Sequence, residues 1–253
     1  MVNRDGLSPD ELYTAAQELA ALGRYADAIQ AYSSAIDGDP GHITAHIGRG
    51  MAFQRVGEHT RAIADFDEVI SGYADWPGAF VAYYSRAVSQ QALGQNIEAV
   101  KDCDEAISRN PELADAIYLR GTAQKALGHI DAAVNDMDAV LNLDPGYSEA
   151  YLERGKLSYF QHRWQQAVEN FTAAIEHFEA GSPYLRDCFY LRGMAAQELG
   201  EHRAAIADFT RTIGLVPNDG ATYLRRARSY HELGERVSGD ADFQVGTRLM
   251  HGQ

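Results

Sequence analysis

The sequence predicts an all-α solenoid of about seven 34-residue helix-turn-helix units, on three observations. The pentapeptide Ala-Ile-Ala-Asp-Phe occurs twice, at residues 62–66 and again at 205–209. Six of the seven prolines, Pro40, Pro77, Pro111, Pro145, Pro183 and Pro217, stand 37, 34, 34, 38 and 34 residues apart. The period is therefore 34, with insertions of three and four residues, and those insertions account for the spacing of the two pentapeptides. Within each period the apolar residues fall at helical spacing in two blocks, with a glycine between the blocks and a proline after the second.

Each element follows from this register. A short leader occupies residues 1–8, and one solenoid runs over 9–253 with units starting near 9, 43, 80, 114, 148, 186 and 220. The glycine between helices marks a reversal of the chain that favours positive φ, as at Gly128; the fifth unit carries His162 instead. Both insertions precede the closing proline, in units two and five. Three or four residues make about one helical turn, so they are expected to lengthen the second helix without rotating its apolar face. Tyr73, Trp76 and Phe178, which they bring, are expected to pack. In the last unit Gly239 and Gly246 replace two alanines and the proline is missing, which predicts a frayed or modified terminal helix.

The pattern resembles the tetratricopeptide repeat family. Small residues recur at the eighth position of each unit (Ala16, Gly50, Ala87, Gly121, Gly155, Gly193, Ala227). A larger one recurs at the twenty-fourth (Tyr32, Phe66, Cys103, Met137, Phe171, Phe209, Phe243). The resemblance covers nearly the whole chain and implies a right-handed superhelix whose first helices line a concave groove.

An arginine stands at the seventh position of units two to seven: Arg49, Arg86, Arg120, Arg154, Arg192 and Arg226. Sixteen residues on come Asp65, Asp102, Asp136, Asn170, Asp208 and Asp242, whereas unit one has Ala15 and Ala31 at the two positions. Joint loss of both partners in one unit points to pairing between the helices of a repeat, in preference to a ligand-binding ladder.

Composition narrows the chemistry. A formal charge of −14 and a pI near 5.0 disfavour nucleic acid and anionic membranes, and no stretch approaches the length of a membrane helix, so a cytoplasmic protein is expected. Cys103 and Cys188 have no nearby Cys or His, and the pair His42 and His46 lacks an evident third ligand, so neither a metal nor another cofactor is expected. Phosphate loops and nucleophile motifs are absent, and the chain reads as a non-enzyme.

Function then rests on surfaces. By the resemblance, the groove would be lined by Ile47, Met51, Tyr84, Val88, Tyr118, Thr122, Lys125, Leu152, Lys156, Tyr159, Tyr190, Met194 and Arg228. Gln54, Gln91, Gln197 and Phe160 fall at neighbouring groove positions. These residues suit an extended protein segment or a partner helix bearing apolar anchors and one or two acids. The expected function is a scaffold that binds a protein or peptide partner, as a monomer or weak homodimer. The alternative is a structural protein that self-assembles through its terminal units or inserted turns.

Overall fold

The computed structural model describes residues 6–251 and consists of fourteen α-helices with no strand among the described residues. They are α1 (Pro9–Ala21), α2 (Tyr25–Gly38), α3 (Ile43–Arg55), α4 (His59–Gly72), α5 (Ala79–Ala92), α6 (Asn96–Arg109), α7 (Ala114–Ala126), α8 (Ile130–Leu143), α9 (Ser148–Phe160), α10 (Trp164–His177), α11 (Leu185–Glu198), α12 (His202–Leu215), α13 (Gly220–Glu232) and α14 (Arg236–Met250). The helices pair in sequence as seven repeats, the 34-residue units of the sequence, in an all-α solenoid. Two compact units divide the chain, Met1–Asp136 and Met137–Gln253, and each has its own apolar clusters.

Local chemistry starts and stops the helices where the pattern predicts. The first begins with Pro9 behind a reciprocal cap, in which the Ser8 hydroxyl accepts from the Glu11 N–H and the Glu11 carboxylate accepts from the Ser8 N–H. Between paired helices the chain reverses through a left-handed residue: Gly128 has φ 81°, and His162 takes the same conformation at φ 58°. His162 does so against the steric cost of a β-carbon, with its ring edge-on to Trp164 at 4.9 Å.

Within a repeat, the small residue of the first helix receives the aromatic ring of the second. A β-carbon at Gly50 would stand 2.6 Å from the Phe66 ring, and one at Gly155 2.6 Å from Phe171. Phe66 and Phe171 are fully buried there. Between repeats, the second helix packs on the next first helix, as Tyr32 does against Ala45 and Ala52.

Two sequence expectations fail. Neither insertion lengthens the second helix that precedes it, since α4 and α10 have 14 residues like α6. One extra residue goes to the first helix that follows, α5 and α11 having 14 residues where α3 and α7 have 13, and the rest form longer connectors. Trp76 folds back beneath α4 and α5 onto Val69, Ala79 and Ala82, with Gly78 tight against its ring, so burial of the indole holds this stretch as a loop. In the second unit Phe178 joins the cluster around Phe171 and stacks on Tyr184 at 5.2 Å, while Tyr73 stays exposed. Of the two forms expected for the last helix, frayed or modified, it is the frayed one that α14 does not take, since it runs 15 residues. Its glycines permit close approach, because a β-carbon at Gly246 would lie 2.8 Å from Leu224 and one at Gly239 2.3 Å from the His231 ring.

The arginine series is structural. In the first unit, Arg86 donates Nε and Nη2 to the two Asp102 oxygens, both at 2.7 Å, and reaches back with Nη1 to Asp67 on the preceding repeat at 2.6 Å. Arg120 joins Asp136 and Asp104 in the same way, and Arg49 joins Asp65 and Ser33. In the second unit, Arg154 bridges Asn170 and Asp138, Arg192 bridges Asp208 and Thr172, and Arg226 bridges Asp242 and Thr210. Each guanidinium thus ties three helices, which uses its planar fork of donors.

Candidate functional site

The first helices of the repeats carry the residues expected to line a groove, and the structure divides that set. Ile47 and Leu152 are core residues, packed with Val69 and Ala82 and with Ala167 and Phe171 respectively. Their branched side chains fill the joint between repeats, so the surface they were expected to contribute is spent on packing. The glutamines are spent as well. Gln54 donates to the Ser85 carbonyl and the Ser89 hydroxyl, Gln91 to Thr122, and Gln197 to the Arg225 carbonyl and Ser229. These bonds stitch the second repeat to the third, the third to the fourth and the sixth to the seventh.

In the first unit the remaining face runs over α3, α5 and α7. Met51 is 40% exposed, while Tyr84, Val88, Tyr118, Thr122 and Lys125 are half-buried. Burial, helped by the nearby Asp115 charge, pushes the Tyr84 hydroxyl up to about 12, so it stays a neutral hydrogen-bonding group.

The second unit places a more apolar face on α9, α11 and α13. Phe160 is 67% exposed at the end of α9, next to the half-buried Tyr159. The Tyr159 ring meets Trp164 edge-on at 4.8 Å, and burial together with the Glu198 carboxylate raises its hydroxyl pKa. Tyr190 lies within electrostatic reach of Tyr159 and has the Arg186 guanidinium over its ring at 5.2 Å. Met194 is half-buried one turn further along α11. The cations differ. Lys156 is committed to Glu153 at 2.7 Å, whereas Arg228 is exposed and makes no ion pair among the described residues. Glu198 and Arg225, both near Tyr159, were not read from the sequence; their signal was only their place one turn from expected groove positions.

The histidine pair has a different use. His46 is buried, with Nδ1 3.3 Å from Asp65 Oδ1 and Nε2 3.2 Å from the Pro40 carbonyl. Both neighbours are acceptors, which suits the doubly protonated ring, and the hydrogen bond to Asp65 raises the imidazole pKa. His42 caps α3 by accepting from the Ala45 N–H. Cys103 and Cys188 are fully buried, and desolvation pushes both thiols up to about 12. No group of three His, Cys, Asp or Glu side chains is placed to hold a metal ion among the described residues. No helix there is long and apolar enough to cross a membrane.

Comparison with known proteins agrees with this geometry. A tetratricopeptide repeat model matches residues 13–80 and 118–184, and a second tetratricopeptide repeat model matches 81–113. The chain belongs to the tetratricopeptide repeat family, a fold that serves as a protein-interaction scaffold. A search of curated proteins finds no match. Among solved structures, a tetratricopeptide repeat protein from Parabacteroides merdae superposes with a TM-score of 0.68 at 19% identity, over 96% of this chain and 94% of that one. MamA from Desulfovibrio magneticus gives 0.62 at 20% identity, over 67% of this chain and 94% of its own. YrrB, described as having an unusual peptide-binding site, gives 0.61 at 21% identity, over 75% of this chain and 94% of its own. At these identities the likeness is one of fold.

Proposed function

We propose that this protein is an interaction scaffold that captures an extended segment of another protein on the first-helix face of its second unit. The observation that carries the reading is the row Tyr159, Phe160, Tyr190 and Met194 with the unpaired Arg228 beside it, on helices held rigid by the arginine and glutamine joints. Aromatic side chains present large contact areas at little conformational cost, and tyrosine hydroxyls can bond a peptide backbone. The ligand this chemistry favours has an aromatic or aliphatic anchor followed by an acid that pairs with Arg228. Lys156 plays a lesser part, because Glu153 already neutralises it. The face of Met51, Tyr84, Val88, Tyr118, Thr122 and Lys125 in the first unit is more polar and is a second site for the same kind of ligand.

Selection from a displayed random-peptide library tests the reading. Enriched peptides should carry an acid near an apolar residue. Their affinity should fall at least about tenfold with Met194→Glu and with Arg228→Glu, variants that touch exposed or half-buried positions. Selected peptides that bind both variants as tightly as the wild type would refute this assignment.

A further inference from the structure

The chain carries a net charge of −14, and its second helices turn acids outwards: Asp67 and Glu68 on α4, Asp104 and Glu105 on α6, Glu169 and Glu176 on α10. In α12 the one carboxylate is Asp208, which is buried and accepts twice from Arg192. Its exposed charges are Arg203 and Arg211, and neither makes an ion pair among the described residues. Arginines on earlier second helices are held by a carboxylate one turn away, Arg61 by Glu58 and Arg109 by Glu105. Beside Arg211 the sixth repeat is also open. In the third and fifth repeats the residue at the thirtieth position closes on the ring at the fourth: Arg109 lies over Tyr83 at 4.5 Å, and His177 stacks on Tyr151 at 5.3 Å. In the sixth the same positions hold Leu215 and Phe189, and with Leu185, Ala207, Arg211 and Gly214 they line a cleft of about 760 Å³ between α11 and α12. Gly214 serves no contact of the fold, since its backbone is not left-handed and a β-carbon there would meet nothing within 4 Å. Glycine weakens a helix relative to alanine, so what Gly214 contributes is the room it leaves in the cleft. We propose that this cleft is a second docking site, for a protein segment that seats one bulky apolar side chain between Phe189 and Leu215 and pairs two acids with Arg211 and Arg203.

Charge and spacing define the occupant. Residues at intervals of three and four share one side of a helix, so Arg203, Ala207, Thr210 and Gly214 lie in a row, with Arg211 flanking it. All five are exposed. Ala207 and Thr210 are small, which lets a backbone run close along α12. The eight residues from Arg203 to Arg211 span about 12 Å of helix, a distance an extended segment covers in about four residues. Within the cleft Arg192 and Asp208 neutralise each other, which leaves Arg211 as the unbalanced charge. Two separate cations on an acidic protein are too few to hold a phosphate backbone or an anionic bilayer, both of which are bound by clustered basic residues. They suit carboxylates on a polypeptide. The acids of α10, Glu169 and Glu176, repel the same segment and so restrict it to α12. With one anchor and two ion pairs, this cleft is a weaker site than the first-helix face of the same unit.

The test is a peptide-display selection on the full chain with the first-helix face disabled by Met194→Glu and Arg228→Glu. Depletion on the same bait carrying Gly214→Leu removes every peptide that does not use the cleft. The survivors should carry a bulky apolar residue with one acid beside it and a second about four residues further on. Their affinity should fall at least about tenfold with Arg211→Glu, and should weaken also with Arg203→Glu and with added salt. Gly214→Ala, which adds only a β-carbon in open space, should bind far more tightly than Gly214→Leu, and all these variants should keep the wild-type circular dichroism spectrum. Three results would overturn the proposal: no peptide survives the depletion, the survivors bind Arg211→Glu undiminished, or the arginines prove to hold something else. The last would appear as self-association, or binding to phosphatidylglycerol vesicles, that Arg203→Glu with Arg211→Glu abolishes. Because the bait lacks a working first-helix face, none of these outcomes bears on peptide capture by α9, α11 and α13.

Discussion

Arg86→Ala is the perturbation that most sharply separates a structural arginine from a surface one. The guanidinium holds both Asp102 oxygens at 2.7 Å, and the Asp102 side chain is only 7% exposed. Removing the arginine leaves a carboxylate almost out of water with no cation beside it, a change that costs about 3 to 5 kcal/mol for shielded pairs. Arg86 itself retains some contact with solvent, which places the expected loss near the lower end, at about 3 kcal/mol. Its third donor meets Asp67, which is half open to water, so Asp67→Ala should cost less than about 1 kcal/mol. Asp102→Ala should cost about 2 kcal/mol, because the exposed edge of the arginine can be rehydrated. The double variant Arg86→Ala, Asp102→Ala should then fall short of the summed single losses by about 2 kcal/mol. Urea denaturation followed by circular dichroism measures all four. Additive losses, or an Arg86→Ala loss no larger than that of Asp67→Ala, would refute the claim that the arginine joins the helices.

Three further predictions concern other joints. His46 has a raised pKa from its bond to Asp65, so the stability it contributes is fully present below its unfolded value of 6.5 and is lost as pH rises through the higher folded value. The stability gap between wild type and His46→Gln should therefore be larger at about pH 5 than at about pH 8, and a gap that widens with pH contradicts the assignment. Cys103 and Cys188 should resist a thiol-specific disulfide reagent at neutral pH until the chain unfolds, since burial keeps both protonated; rapid native-state labelling of either would contradict their placement. His162→Gly should stabilise the second unit by about 0.5 to 1 kcal/mol, the relief of left-handed strain less the lost edge contact with Trp164, and a destabilised variant would show that the ring contact dominates.

The parts of the fold that were legible in the sequence are those fixed by a periodic requirement. A ring at position twenty-four needs a small residue opposite, so Gly50 with Phe66 and Gly155 with Phe171 announce the helix pair before any coordinates exist. The arginines and their partners sixteen residues on are equally regular. The second arm of each arginine was not legible, because its acceptor varies among Ser33, Asp67, Asp104, Asp138, Thr172 and Thr210. The insertions were misread because one turn of helix and one turn of loop take up the same number of residues. What decided between them was Trp76, which gains more by folding back onto Val69 and Ala82 than by extending α4 into water. Of the expected groove, Ile47 and Leu152 were lost to packing and three glutamines to hydrogen bonds between repeats. Gln54 and Gln197 could have been recognised by the serines that follow them two positions short of a full repeat, Ser89 and Ser229.

The most direct measurement of the proposed function is amide hydrogen exchange of the full chain with and without a peptide selected from a display library. The proposal predicts added protection in α9, α11 and α13, with α10, α12 and α14 unchanged. Protection confined to those second helices would contradict it.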